Sequence, residues 1–208
     1  HNVWLEQAAK HNDYVVKFGH MTTEAYPAHK LTSVTAILQD NNPQPLTTHV
    51  VQGEAHTTLP TDTQLVLIHF NNGTWCKLPN GKSVERSQAN SVAVATCISA
   101  PKVGQAVITR GDTFLKSQHD HYELIPKNQP EVGKPLAVLA LQNGKPLQGI
   151  GIGEGEDSSL QKTNAQGIAY YTPKPGLNKI WAEFTEETPN NQEYKSISTE
   201  YLLTFELN

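Results

Sequence analysis

Apolar side chains in this chain recur at every second position, in short runs broken by Gly, Pro and Asn, and helical spacing is nearly absent. The run "YVVKFGH" places Tyr14, Val16, Phe18 and His20 on one face of a strand and Val15 and Lys17 on the other. "QLVLIHF" is apolar on both faces and reads as a buried central strand. "SVAVATC", "QAVIT", "LAVLAL", "KIWAEF" and "YLLTFEL" continue the series. Turn signals such as "DNNPQP", "NNG", "PNG", "QNG" and "NAQG" separate them. Only "EQAAKHND" could hold a helical turn. Such a pattern predicts an all-β protein built as two tandem immunoglobulin-like β-sandwich domains.

The boundary is expected at residues 126 to 135, "PKNQPEVGKP", a polar stretch with three prolines. That assigns residues 1–128 to an N-terminal domain and 129–208 to a C-terminal one. At 208 residues the chain is long enough to bury a core in each half. No run approaches the roughly 20 apolar residues that a membrane-spanning helix requires, so no membrane insertion is expected. The charges, 16 basic and 20 acidic, are scattered rather than clustered, which argues against nucleic acid as a partner. Cys76 and Cys97 would pair in an oxidising compartment and stay as thiols in the cytosol; no CxxC spacing points to redox or zinc chemistry.

Chemistry is expected in the first half, because all nine histidines lie at or before His121. His1 carries an α-amine and an imidazole on one residue, and the two can close a chelate ring on a metal ion. His20 ends an amphipathic strand. In "HDHYE", His119 and His121 are two apart, an alternation that would project both from one strand face with Glu123 continuing it. His69 reads as a satisfied interior histidine, and His11, His29, His49 and His56 read as surface residues. The acidic run Glu154, Glu156 and Asp157 in "GIGIGEGE" and beyond reads as a solvated loop with weak affinity for a hard cation at most. Enzyme signatures are absent: there is no GxSxG, HExxH, P-loop or helix-opening GxGxxG.

"HNVWLE", "YVVKFGH", "EAYPAHKL" and "YELIPKNQP" together resemble a family of exported bacterial proteins described as nickel-uptake-transporter-like periplasmic proteins, a domain of unknown function. In that family a signal peptide precedes an Ala-His-x-x-Trp-Leu segment, and two β-sandwich domains follow. The family-like positions here are His1, Trp4, Leu5, Gly19, Glu123 and Pro126; "HDH" before "YELIP" departs from the family pattern. The second half, through Gly144-Lys145-Pro146-Leu147, Thr163 to Gly167, Pro175-Gly176 and Trp181-Ala182, resembles the carboxypeptidase-regulatory or transthyretin-like sandwiches.

The resemblance implies export to the periplasm, cleavage before His1, and metal handling rather than catalysis. The resulting expectation is a periplasmic protein, not an enzyme, that binds a divalent transition metal (Ni, Cu, Zn or Co) and delivers it to a membrane metal-uptake transporter. The expected ligands are His1, His20, His119 and His121. Two other readings remain open at this stage. One is a histidine-brace copper monooxygenase, which also begins with His on a β-sandwich. The other is a structural or adhesive immunoglobulin-like module without metal.

Overall fold

The computed structural model describes residues 1–89 and 91–208. The first half contributes β1 (Asn2–Gln7), β2 (Asp13–Gly19), β3 (Leu31–Leu38), β4 (Asn42–Pro45), β5 (His49–Val51), β6 (Glu54–Thr58), β7 (Thr63–Lys77), β8 (Ser83–Glu85) and β9 (Cys97–Val107). The rest contributes β10 (Tyr122–Pro126), β11 (Leu136–Gln142), β12 (Lys145–Pro146), β13 (Gly151–Gly153), β14 (Gln161–Lys162), β15 (Ile168–Tyr171), β16 (Gly176–Glu187) and β17 (Ser196–Leu207). Five short 3-10 turns are the helical content among the described residues. The all-β sandwich architecture expected from the alternation is present. "SVAVATC" is a partial exception, because Val94–Thr96 form a 3-10 turn and the strand begins at Cys97.

One nine-stranded sheet forms the frame, in the order β14-β13-β16-β17-β9-β7-β3-β4 with β8 beside β7. It runs across the expected boundary, because β17 pairs in parallel with β9. Two smaller sheets cover it, β1-β2-β6-β5 and β10-β11-β12 with β15. Register puts them on opposite faces. Val66, Ile68 and Phe70 of β7 share a face with Ala106, Gly104 and Lys102 of β9, and that face continues to Thr204, Leu202 and Glu200 of β17. The core under β1, β2 and β6 includes Val66, Ile68, Phe70 and Ala106. The other core lies under β10, β11 and β15. It takes Val103 from β9, Tyr201, Leu203 and Phe205 from β17, and Ile180, Ala182 and Phe184 from β16. Each large side chain buried there contributes about 1.5–3 kcal/mol relative to exposure.

The division at 128/129 does not coincide with strand pairing. Tyr122–Pro126 pairs with Leu136–Gln142 throughout its length, so it belongs to the second core with Phe114. Prolines mark the connection between β10 and β11, but composition carries no information on which strands that connection joins. The two larger cores lie on opposite faces of one common sheet.

Cys76 and Cys97 face each other across β7 and β9 and form a disulfide. Such a bond is compatible with an exported protein. No helix among the described residues is long and apolar enough to cross a membrane.

Candidate metal centre

Strand β1 crosses the large sheet at Gly104. A Cβ at that position would lie 2.6 Å from the Val3 carbonyl oxygen, so the absence of a side chain lets the β1 backbone rest directly on β9. Val3 is fully buried by this contact, and the residue two before it reaches Glu200 on β17. The α-ammonium of His1 donates to Glu200 Oε1 at 3.0 Å, Lys102 Nζ donates to the same oxygen at 2.7 Å, and Trp181 Nε1 donates to Oε2 at 3.0 Å. Burial alone would push the Glu200 carboxyl up. Lys102 and the His1 amine outweigh burial and hold it below its ordinary value.

The His1 imidazole stacks on Phe18 with ring centres 5.1 Å apart, and its Nε2 lies 2.5 Å from Glu24 Oε2. Glu24 N donates to Phe18 O at 2.7 Å, and two residues further on Tyr26 is buried against Phe18 and Phe70. The Tyr26 hydroxyl donates to Val16 O at 2.7 Å and accepts from Ala55 N at 2.9 Å, tying the loop after β2 to two strands. Burial pushes this phenol above its ordinary value, so it stays protonated.

His20 follows β2 immediately, and its ring centre is 6.1 Å from that of His1. Its Nδ1 lies 2.7 Å from Glu156 Oε1 and its Nε2 3.0 Å from Asp157 Oδ2. One ligand atom from each of these three residues lies within 4.8 Å of the others. Each ring nitrogen thus faces a carboxylate oxygen. The acidic pair sits in a tight loop after β13, where Ser158 Oγ accepts from Glu154 N and Gly155 N at 3.0 and 3.1 Å. A cleft of about 600 Å³ opens beside His1, and Phe18, Tyr26, Trp75, Lys30 and Lys102 are among the residues that line it.

His119 and His121 lie elsewhere. Strand β10 begins at Tyr122, after both histidines, and His119 has φ 58°, so the two do not project from one strand face. His121 Nε2 lies 3.0 Å from Glu186 and its Nδ1 2.8 Å from Asn143 Oδ1. Glu186 shares the face of β16 that holds Ile180, Ala182 and Phe184, opposite the face bearing His1. Glu123 is buried. It accepts from Ser117 Oγ at 2.6 Å and Gln118 N at 2.7 Å, fastening the loop rather than extending a histidine row. Of the four expected ligands, His1 and His20 come together and His119 and His121 stand on the other side of the sheet.

His69 is satisfied as expected, between Ser33 Oγ at 3.2 Å and Asp120 Oδ2 at 2.6 Å, but it is partly exposed rather than interior. His11, His29 and His49 are exposed and His56 is half-buried. Sequence reasoning missed Glu24 and Glu200 and gave Glu156 and Asp157 no link to His20. For Glu200 there was a signal: a carboxylate inside "TEYLLTF", a run with no local cation to pair it.

The chain belongs to the same family as an uncharacterized protein of Haemophilus influenzae. The two are 43% identical over 206 residues, which cover 99% of this chain and 90% of the relative. No protein-family model matches the chain.

Proposed function

We propose that this protein is a periplasmic binding protein for a divalent transition metal, nickel or a neighbour in the first row, which it hands to a membrane uptake system. The observation that carries the reading is the meeting of His1 and His20, 6.1 Å apart, at a seam that also gathers Glu24, Glu156 and Asp157. The imidazoles of His1 and His20 offer nitrogen ligands, joined by the His1 amine in a chain that starts there, and the carboxylates neutralise the cation. Such a mixed set suits Ni²⁺, Co²⁺, Cu²⁺ and Zn²⁺. Preference for nickel, location in the periplasm and delivery to a transporter rest on the resemblance of "HNVWLE", "YVVKFGH" and "YELIP" to the nickel-uptake-like family. The disulfide and the lack of a spanning helix among the described residues are compatible with that location.

On this reading, protons compete with the metal for the nitrogen ligands, so affinity falls as the solution is acidified. Titration of Ni²⁺ and Cu²⁺ by calorimetry into the chain starting at His1 tests it. We expect micromolar or tighter binding, proton release, and a loss of at least 10-fold in His20→Ala. A variant with one residue added before His1 should bind more weakly. No binding at micromolar protein overturns the proposal, and equal affinity of the extended variant removes the amine from it.

A further inference from the structure

A second pair of histidines is set side by side by a hairpin. Strands β5 and β6 are joined by Gln52 and Gly53, both at positive φ (51° and 79°), the condition of the two-residue turn that matches strand twist. That turn dictates the register Val51↔Glu54, Val50↔Ala55 and His49↔His56. Ala55 points into the first core, so its neighbour His56 and His56's partner His49 point outward. Their ring centres are 5.7 Å apart.

The next strand supplies a carboxylate. Val15 of β2 pairs with His56, which puts Asp13 on the same outer face, and Asp13 Oδ2 lies 3.4 Å from His56 Nδ1. The other oxygen, Oδ1, is buried and has no hydrogen-bond partner. Glu54 on this face is already taken by Lys17, at 2.8 and 2.9 Å. A carboxylate facing one ring nitrogen holds a histidine in the tautomer whose other nitrogen is free for a metal.

We propose that His49 and His56 form a second transition-metal site, open to solvent, with Asp13 as the positioning residue for His56. The site takes Cu²⁺, Ni²⁺ or Zn²⁺, for which imidazole is a good ligand, and rejects Ca²⁺ and Mg²⁺, which require oxygen. Water completes the coordination. This site lies at the β5 edge of a sheet whose opposite edge is β1, so it is separate from the His1–His20 seam.

Amide spectra of the full-length ¹⁵N-labelled chain during Cu²⁺ addition read the two places independently. We expect selective broadening around Gln52-Gly53, abolished in His49→Ala,His56→Ala while signals near His20 respond as before. His49 is exposed and His56 half-buried, and an unperturbed spectrum of the variant away from the hairpin verifies its fold. Asp13→Asn should weaken Zn²⁺ binding at the hairpin by about 10-fold and change the ¹⁵N tautomer signature of His56. Unbroadened hairpin signals in the parent chain, or equal broadening in the double variant, overturn the proposal whatever happens at His1 and His20.

Discussion

The two faces of the shared sheet treat their histidines differently. On the face under β1, His1 and His20 are surrounded by carboxylates drawn from separate elements: Glu24 from a loop, Glu156 and Asp157 from the second half, Glu200 from β17. On the opposite face His121 bonds Asn143 and Glu186, and Glu186 also accepts from Tyr122. There the Glu186 carboxylate is bound by both His121 and Tyr122, beside the second core. A surplus of anionic oxygen around neighbouring imidazoles suits a cation; a closed network suits a loop that must stay put. The contrast separates a candidate site from a structural use of the same residue type.

Glu200 is where the contrast should break most visibly. Lys102 and Glu200 are both almost fully buried, and Glu200→Gln leaves the ammonium of Lys102 without a counter-charge. The expected loss is about 3–5 kcal/mol of folding stability, measured by urea unfolding at neutral pH. The sign of its pH dependence follows from the depressed carboxyl. The contribution is present above the unfolded value of about 4.3 and is lost as pH falls through the lower folded value. The variant should therefore show a flatter acid limb than the parent.

Gly104→Ala acts on the same face through the backbone. The new methyl must push the Val3 carbonyl away, at a cost of about 1–3 kcal/mol. Because β1 carries His1, metal affinity on the proposed reading should fall with it. Calorimetry would show this, while the titration of His121, on the other side of the sheet, stays unchanged. A shift at both faces would mean that they are coupled and would weaken the distinction.

Much of this frame was legible in the sequence. Period-two alternation identified β2 with Val16 and Phe18 inward, and a run apolar on both faces identified β7 as central. What alternation leaves open is which sheet a strand joins. The parallel pairing of β9 with β17 links residues about a hundred positions apart, and no local pattern encodes it. The same gap concealed Glu200 and separated Glu156 from His20 in the reading. His119 failed for a different reason. Two residues apart means one face only within a strand, and the chain at "HDH" has not yet entered β10. The His49–His56 pair went unread, both reading as surface residues, because the pairing depends on Gln52-Gly53 forming a two-residue turn, and "QG" was not among the turn signals.

The smallest effect tests the closed network itself. The Glu186 carboxylate, by hydrogen bonding, and Asn143 beside it hold His121 above its ordinary value. Tyr122 first, then His121, hold Glu186 below its own. Stability from the raised histidine is full below the unfolded value of about 6.5 and is lost as pH rises through the folded one. Stability from the depressed carboxylate is present above about 4.3 and is lost as pH falls. The pair therefore contributes most between those limits, and because both groups are partly solvated its worth is under about 1 kcal/mol. Proton NMR of the His121 ring should give a midpoint above 6.5 that moves back toward it in Glu186→Gln. The same spectra, recorded with Ni²⁺ added, should leave His121 in place while His20 responds. Paramagnetic loss of His121 at equal metal would place the cation on both faces and remove the contrast on which the assignment of His1 and His20 depends.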